Sequence, residues 1–326
     1  MLGIDQWAVH AAVSTLVART RHVVAVDVGG TETKAALVAG TPERVVAVGQ
    51  QRRTTPKGVD GPSTAEAVVD LVVDVVDGFR AAAEHEVDAV GVVVPGVVDE
   101  RTGVGVYSTN LGWKDFPFRD RIAERTGLTV AFGHDVRAGG LAECRMGSAI
   151  GLRHGVIMPI GTGIAGALVL DGRIYGGDGY AGEVGHVDGG HDDPCGCGQI
   201  GCVEVRASSG GIARRFTERT GIPVGGAAEV AAMVRAGDPD AAVVWDEAID
   251  ALARGIVVLA GVLGPEAVVL GGGLALSGDL LTAPLGKKLD GLITFQRRPE
   301  LRLAALGDEA GCLGAALLAI DELEGS

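Results

Sequence analysis

The sequence predicts an α/β protein built from two related domains that face each other across a cleft. Apolar segments that end in glycines, as buried strands do, alternate with segments of helical periodicity. A Gly/Thr-rich turn within a strand hairpin also occurs twice, first in VDVGGTETKAAL and again in MPIGTGIAGALVL. This weak internal repeat implies two domains of one kind, and a cleft between two such domains is a natural ligand site.

The size and composition of the chain agree with two globular domains. It has 326 residues, of which 47 % are hydrophobic and 21 % are charged, enough for two cores. The net charge of −14 argues against binding to nucleic acid or to anionic membranes. No apolar run is long enough to span a membrane. The first 20 residues carry Asp5 where a secretory signal has basic residues, so we expect a short helix or frayed leader there and a cytoplasmic protein.

The first half of the chain is predicted to form a strand meander, a helix and further strands. HVVAVDVGG, TKAALVA and ERVVAVGQQ follow one another after short turns, which predicts antiparallel pairing. Ser63 and Glu66 have the spacing of a capping box, and apolar residues recur at helical spacing behind them. VDAVGVVVPG and TVAF are predicted strands. A helix is predicted from Asp135 to Arg145.

The second half starts the same pattern again at His154. GVIMPIG, AGALVLDG and RIYGG are predicted strands, and a loop dense in Gly, Cys and His follows them. We expect helices over about 208–263, then a strand at EAVVLGGG and a helix from about Ser277. A strand at LRLAAL and a final helix from about Asp308 complete the pattern.

Three glycine-rich turns predict a nucleotide site. Glycine has no Cβ, so backbone N–H groups at such a turn can approach phosphate oxygens closely. Asp27, in the D-x-G-G-T turn, can hold a hydrated Mg²⁺ beside them, although an ordinary hairpin would give the same pattern. The second turn, G-T-G, favours a bound nucleotide, and the third would let an adenosine lie flat on the backbone. The predicted site comprises Asp27, Gly29, Gly30, Thr31, Lys34, Gly161, Thr162, Gly163, Gly271, Gly272 and Gly273.

Two other classes of nucleotide-binding protein are excluded, because the motif of one occurs only in the wrong context and the motif of the other is missing. G-x-G-x-x-G occurs twice, starting at Gly161 and at Gly196, but neither copy runs from a strand into a helix as a dinucleotide site requires. The P-loop pattern G-x-x-x-x-G-K-[ST] does not occur. Chance matches are expected in a chain with 53 glycines.

A cysteine-rich loop predicts a structural zinc site. Cys195, Cys197 and Cys202 supply three thiolates within eight residues, and His186 is a suitable fourth ligand. Three cysteines and one histidine form a closed tetrahedral set that leaves no position for an activated water molecule. His191 is the alternative nitrogen ligand. Three free buried thiols are the other alternative, but thiols this crowded would oxidise.

Together these motifs resemble the signature of the ROK family (repressors, open reading frames and sugar kinases). The zinc loop C-x-C-G-x-x-G-C-x-E follows E-V-G-H, and D-x-G-G-T, S-T-N-L-G-W, G-H-D and G-T-G occur in the family's order over about residues 22–324. The resemblance implies an actin-like ATPase fold of two ribonuclease-H-like domains, with ATP and sugar in the cleft. The smaller domain would comprise residues 22–136 and the C-terminal helix 309–326. The larger one, 137–308, would carry the zinc loop and nucleotide site.

The resemblance also implies roles for individual residues. Asp135 takes the place of the catalytic base, which accepts the proton of the sugar hydroxyl as that hydroxyl attacks the γ-phosphoryl group. Asp135 could equally be the N-cap of its helix, which is compatible with that role. The family usually has Asn where this chain has His134, which leaves the sugar selectivity open. The sugar-contacting positions of the family fall on Asn110, His134, Glu183, His186 and Glu204.

The function expected from the resemblance is ATP- and Mg²⁺-dependent phosphorylation of a hexose, with glucose converted to glucose 6-phosphate. Kinases for fructose, allose, N-acetylmannosamine or N-acetylglucosamine are alternatives, as is a non-catalytic sugar-binding regulator. The repressor branch of the family is disfavoured, because the segment before Asp27 is too short for its DNA-binding module and the net charge is negative. By resemblance we expect a homodimer or a homotetramer.

Overall fold

The fold is known from a computed structural model, which describes residues 19–325. The predicted N-terminal helix or leader lies outside these residues. The strands are β1 (Arg21–Val28), β2 (Glu32–Gly40), β3 (Val45–Thr54), β4 (Ala89–Val94), β5 (Val97–Asp99), β6 (Val104–Tyr107), β7 (Lys114–Phe116), β8 (Thr129–His134), β9 (Gly155–Pro159), β10 (Ala167–Leu170), β11 (Arg173–Tyr175), β12 (Ala267–Gly271) and β13 (Glu300–Leu303).

The α-helices are α1 (Gly61–Ala82), α2 (Phe118–Thr126), α3 (Asp135–Met146), α4 (Val203–Ala207), α5 (Ser209–Thr220), α6 (Ala227–Arg235), α7 (Pro239–Leu263), α8 (Gly272–Ala275), α9 (Asp279–Leu292) and α10 (Ala310–Glu324). Short 3-10 helices lie at Gly177–Gly179, Val184–His186 and Gly307–Glu309. None of the helices in the described part of the chain has the length and apolar character that crossing a membrane requires.

Two five-stranded sheets share one topology. The first has the strand order β3-β2-β1-β4-β8 and the second has β11-β10-β9-β12-β13. In each, the first strand in the chain pairs antiparallel with its hairpin partner and parallel with a later strand. The internal repeat predicted from the two hairpin segments is therefore present in the fold.

Strand register brings the predicted chemical groups to one edge of each sheet. In the first sheet, Asp27 near the end of β1 pairs with Val93 of β4, and the next residue of β4 pairs with His134 at the end of β8. In the second, Gly271 at the end of β12 pairs with Pro159 at the end of β9. The carboxyl ends of parallel strands lie at the same edge of a sheet, which is where ligands bind in open α/β sheets.

The first sheet is covered on both faces. Valines of α1, such as Val68 and Val72, are fully buried in one cluster with Val24 of β1. The opposite face is covered by α3 and α10, which meet through small residues such as Ala138 and Ala316. Burying one valine side chain stabilises a fold by roughly 1.5–3 kcal/mol relative to leaving it exposed. These two helical layers therefore account for the continuous apolar character of β1 and β4.

The second sheet is covered by the helices that follow the cysteine-rich loop. Trp245 of α7 and Phe216 of α5 are buried in one cluster with Val156 of β9 and Leu285 of α9. The indole N–H of Trp245 donates to the carbonyl oxygen of Leu280 at 3.0 Å. Since α3 contacts both β8 and β10, it lies between the two sheets.

The N-cap of α1 is not the predicted one. Asp60 is the cap: its carboxylate accepts the N–H of Ser63 at 2.8 Å, and the Ser63 hydroxyl accepts the N–H of Asp60 at 3.0 Å. Ser63 is therefore the third residue of the helix rather than its cap, and Glu66 instead pairs with Arg121 at 2.9 Å. Pro62 in the first turn explains the shift, because proline suits the first turn of a helix and so moves the start upstream.

Two other parts of the chain differ from expectation. The helical region expected over 208–263 begins earlier, at Val203, and is divided into α4, α5, α6 and α7. The sequence analysis also missed α2 and the small sheet β5-β6-β7. This small sheet is stabilised by aromatic contacts, with the Trp113 and Phe118 rings edge to face at 4.9 Å. Its strands are only three or four residues long, too short to show a periodic pattern.

Asp60→Ala should destabilise the protein by about 1 kcal/mol, because the N–H of Ser63 in the first turn of α1 loses its carboxylate partner. Glu66→Gln should cost less than about 0.5 kcal/mol, because it removes only an exposed ion pair. Urea unfolding of both variants beside the wild type measures the difference. The opposite ranking would show that the cap is at Ser63 after all.

Candidate active site

A cavity of about 540 Å³ lies between the two sheets. Asp27 and Lys34 of the first sheet line it together with Asp135 at the start of α3. From the second sheet, Pro159 and the third glycine turn face it. The predicted cleft between two related domains is therefore present, and it contains the predicted base.

Two carboxylates in this cavity interact. Burial raises the pKa of Asp27 to about 6, against the opposing effect of the Lys34 charge. Burial also raises the pKa of Asp135 to about 7, and the negative charge of Asp27 adds to this effect. The Val136 N–H donates to Asp135 Oδ1 at 2.7 Å, which orients the carboxylate. A buried carboxyl group that titrates near neutral pH is suited to accept a proton from a substrate.

His134, rather than Asp135, is the N-cap of α3. Its Nδ1 accepts the N–H of Arg137 at 3.4 Å and lies 3.3 Å from Asp135 Oδ1. Burial, with a smaller effect from the Arg137 charge, lowers the pKa of His134 to about 3, so the ring is neutral. Arg137 is itself buried and donates from Nε to Glu100 at 2.8 Å. The residue where this chain departs from the family pattern is therefore in direct contact with the predicted base.

The first glycine turn is held by the strands around it. The Gly29 N–H donates to the carbonyl oxygen of Glu32 at 3.0 Å, and the Thr55 hydroxyl donates to the Gly29 carbonyl at 2.7 Å. Lys34 donates to the carbonyl oxygen of Asp308 at 3.2 Å and also pairs with its carboxylate. Hydrogen bonds from Lys34 and then Arg52 hold the pKa of Asp308 below its ordinary value. Asp308 also lines the cavity, and the sequence analysis missed it.

The second and third glycine turns contact each other. The Gly161 N–H donates to the Gly163 carbonyl at 3.0 Å, and the Ile164 N–H donates to Glu204 Oε2 at 2.7 Å. Gly272 has φ of +70°, and a Cβ there would lie 2.5 Å from the Ile160 carbonyl oxygen, so only glycine fits. The third turn lines the cavity, and so does Asp27 of the first turn. Neither Gly161–Gly163 nor residues 29–31 are among the lining residues.

The residues that were predicted to contact the sugar lie on several different segments of the chain. Asn110 is exposed in the turn between β6 and β7, and Glu183 is exposed just before the 3-10 helix that ends at His186. The His186 Nε2 atom lies 4.0 Å from Glu183 Oε2. One oxygen of Glu204 is taken by the backbone of the second glycine turn. Of the five predicted residues, His134 adjoins the base, and the roles of the other four stay predictions.

Four residues of the cysteine-rich loop could hold a metal ion. Ligand atoms of His186, Cys195, Cys197 and Cys202 all lie within 4.8 Å of one another. Cys195 Sγ is 3.8 Å from His186 Nδ1, and Cys197 Sγ is 3.7 Å from Cys202 Sγ. Three thiolates and one imidazole are the donor set of a structural zinc site. The residues present therefore fit the predicted ion.

His191 is excluded as the alternative ligand, because both of its ring nitrogens are occupied. Its Nδ1 accepts the N–H of Asp193 at 3.2 Å, and its Nε2 lies 3.1 Å from the carbonyl oxygen of Cys202. The Asp193 carboxylate in turn accepts from Arg206 Nε at 2.6 Å and from Arg215 at 2.9 Å. Asp193, whose N–H donates to His191, therefore fastens the loop to Arg206 of α4 and Arg215 of α5.

Comparison with known proteins assigns the chain to a family. The ROK family profile matches residues 23–322, nearly the whole described chain. The chain belongs to the ROK family. The glucokinase of Halalkalibacterium halodurans is 32 % identical over 320 residues, covering 91 % of this chain and 94 % of that protein.

Solved structures of ROK proteins agree with this fold. The ROK hexokinase from Thermus thermophilus superimposes with a TM-score of 0.75 at 34 % identity, covering 94 % of this chain and 100 % of that one. A ROK family glucokinase from Streptomyces griseus, solved with glucose and AMPPNP, has a TM-score of 0.76 at 28 % identity, covering 91 % and 99 %. The expected actin-like ATPase fold of the ROK family is thereby confirmed.

Asp135→Asn should stabilise the protein increasingly as the pH rises. An unfolded Asp has a pKa near 3.9, whereas the folded Asp135 has a pKa of about 7. The wild type therefore loses stability from about pH 4 up to about pH 7, while the neutral variant does not. Three pKa units correspond to roughly 4 kcal/mol, and we halve this because the side chain keeps 26 % exposure to water.

Urea unfolding at pH 5 and at pH 8 measures this gain, which should reach about 2 kcal/mol at the higher pH. The matched control is Asp171→Asn, because Asp171 lies on a surface turn with its side chain 73 % exposed. A stability difference for Asp135→Asn that is the same at both pH values would contradict the raised pKa.

The purified protein should contain about one zinc ion per chain, and Cys197→Ser should reduce this content strongly. Cys197 is exposed, so the substitution removes a thiolate without disturbing a core. Elemental analysis after gel filtration measures the metal. Cys144→Ser is the control, because Cys144 lies on α3 outside the cluster and its loss should leave the metal content unchanged. Equal zinc in both variants would argue against the cluster.

Proposed function

We propose that the chain is an ATP-dependent sugar kinase that phosphorylates a hexose, with glucose as substrate and glucose 6-phosphate as product. The observation that carries the proposal is Asp135, whose pKa of about 7 belongs to a carboxyl group in the cavity that the two sheets share. Such a group can take a proton from an alcohol near neutral pH. The glucokinase relatives support glucose as the hexose, and the complex of one of them with AMPPNP supports ATP as the donor.

In the proposed reaction, Asp135 accepts the proton of the sugar 6-hydroxyl group. The hydroxyl oxygen forms a bond to the γ-phosphorus of ATP, while the bond from that phosphorus to the β–γ bridging oxygen breaks. ADP leaves with the electron pair of the broken bond, and the proton on Asp135 passes to solvent. Burial contributes most to the raised pKa of Asp135 and so makes it a stronger base, and the charge of Asp27 adds to this effect when no cation is bound.

The nucleotide side of the site follows from the glycine turns. We propose that the turns 29–31 and 161–163 hold the phosphates through backbone N–H groups other than those of Gly29 and Gly161, which donate within the turns. Lys34 contributes positive charge, and Gly271–Gly273 contact the adenosine. Asp27 would hold a hydrated Mg²⁺, since a carboxylate is the ligand type this cation prefers. When bound, the ion neutralises charge on the phosphates.

The sugar side of the site would be organised by the zinc loop. We propose that Asn110, His134, Glu183, His186 and Glu204 bind sugar hydroxyls. His186 can serve both purposes, because Nδ1 faces Cys195 and Nε2 faces Glu183. His186, Cys195, Cys197 and Cys202 would hold Zn²⁺, which when bound stabilises the loop.

The remaining expectations concern the arrangement of the whole protein. We propose that residues 22–136 with the C-terminal segment 309–326, which contains α10, form one domain and residues 137–308 the other, since each of the two long ranges holds nearly all of one five-stranded sheet. The homodimeric or homotetrameric state and the cytoplasmic location stay predictions.

A coupled assay that measures ADP formation over glucose, fructose, allose, N-acetylglucosamine and N-acetylmannosamine tests the proposal. We expect the highest kcat/KM with glucose. Asp135→Asn should lower kcat by about 10³-fold, within the range for loss of a general base, while glucose binding measured by calorimetry stays within about twofold. Asp171→Asn, on a surface turn, should keep wild-type kcat. No turnover with any of these sugars would overturn the proposal.

A further inference from the structure

The described chain passes between the two sheets at two places. The first crossing is α3, which leads from β8 in the first sheet toward β9 in the second. The second is the segment 304–309, which leads from β13 back to α10 on the first sheet. Any change in the separation of the two sheets must deform these crossings, because the sheets themselves are packed and stiff.

One buried side chain joins the two crossings. Glu143, in the last turn of α3, is only 1 % exposed. Its Oε1 accepts the N–H of Leu306 at 2.8 Å, and its Oε2 accepts the N–H of Ser148 at 2.7 Å and of Ala305 at 3.2 Å. No lysine, arginine or histidine within residues 19–325 forms an ion pair with it. A buried carboxylate that relies on backbone N–H groups holds them firmly, since such charge-assisted bonds are stronger than neutral ones.

Other contacts at this junction reinforce the same connection. The Ser148 hydroxyl donates to the Leu303 carbonyl oxygen at 2.6 Å, and Arg302 donates to the Ser148 carbonyl oxygen at 3.0 Å. At Gly147 a Cβ would overlap the carboxylate of Glu143, so a residue with a side chain would push the two segments apart. The end of α3 and the end of β13 are therefore built as one unit.

The segment that Glu143 holds continues directly into the cavity. Ala304, Gly307 and Asp308 line it, and so does Glu143 itself. Asp308 then binds Lys34 of the first sheet. A displacement of residues 305 and 306 would accordingly be transmitted to Asp308 and, through it, to the ammonium group of Lys34.

We infer that Glu143 is a positioning residue for nucleotide binding, which sets the place of residues 304–308 in the cavity by fastening them to α3. The inference rests on the proposed kinase function, in which this cavity takes the nucleoside triphosphate. It goes beyond that proposal by assigning a role to a residue that has no contact with the predicted sugar positions.

A purely structural role for Glu143 predicts something different. Loss of a structural contact would lower the melting temperature and the fraction of active protein, while the KM values of the active molecules would stay the same for both substrates. A positioning role predicts a selective change in nucleotide affinity. The ratio between the KM for ATP and the KM for the sugar therefore separates the two roles.

The test is Glu143→Gln, which keeps the size of the side chain and removes the charge. The amide group also turns one acceptor into a donor that faces backbone N–H groups. We expect KM for ATP and the Kd of the analogue AMPPNP, measured by calorimetry, to rise about tenfold, with KM for glucose within about twofold of wild type. Glu124→Gln is the matched control, because Glu124 is exposed on α2, and both constants should stay at their wild-type values.

Each other outcome is decisive. Unchanged AMPPNP affinity, or an equal change for sugar and nucleotide, overturns the inference. If Glu143→Gln yields no folded protein, the variant Ser148→Ala replaces it in the test. This variant loses the hydrogen bond from the Ser148 hydroxyl to the Leu303 carbonyl oxygen, so the Kd of AMPPNP should rise about threefold. An unchanged Kd in this variant overturns the inference. If wild type phosphorylates no hexose, the proposed function fails, while the AMPPNP titrations still test Glu143. Wild type that binds no AMPPNP overturns the inference.

Discussion

The burial of two carboxyl groups in one cavity is the constraint on which the proposed chemistry of this protein depends. Asp27 lies near the end of β1 and Asp135 begins α3, and the parallel register of β1, β4 and β8 brings them together. Each carboxyl group alone would titrate far below neutral pH, but burial and the nearby negative charge favour the protonated forms. Keeping this arrangement costs stability, so the surrounding sheet must be well packed. The two helical layers over the first sheet, rich in valine and alanine, provide that packing.

Around this pair, hydrogen bonds from backbone N–H groups to carboxylates help to fix two loops. Glu204 follows the last cysteine of the predicted zinc loop by two residues and accepts the Ile164 N–H of the second glycine turn. Glu204 therefore links the metal loop to that turn in space, although the two are separate in the chain. In the wall of the cavity, Glu143 likewise accepts the backbone N–H groups of residues 305 and 306. In both cases a carboxylate with backbone N–H partners holds a loop in place, which prepares a site before its ligand arrives.

Much of the architecture could be predicted from the sequence because its signals are local. Apolar runs that end in glycine identified β1, β4, β9 and β12, and the crowded cysteines identified the metal cluster. Features that depend on distant partners could not be predicted. The sequence analysis favoured His186 over His191 as the fourth ligand, but the reason that excludes His191, the occupation of both of its ring nitrogens, appears only in the folded loop. Glu143 is an ordinary helical residue in the sequence, since its partners lie up to 163 positions away. Asp308 had a weak signal, the G-D-E-A-G run before α10.

The neutral ring of His134 has a consequence for how the site would respond to acid. Its Nδ1 is committed to the first turn of α3, and the ring stays uncharged down to about pH 3. Over the pH range in which Asp27 and Asp135 titrate, the imidazole therefore adds no positive charge next to Asp135. Lowering the pH over this range therefore protonates the two carboxylates but not the imidazole, so the only charge change among these three groups is the loss of negative charge. An asparagine at this position would also be uncharged, which makes the exchange between these two residues one of shape and hydrogen-bond geometry alone.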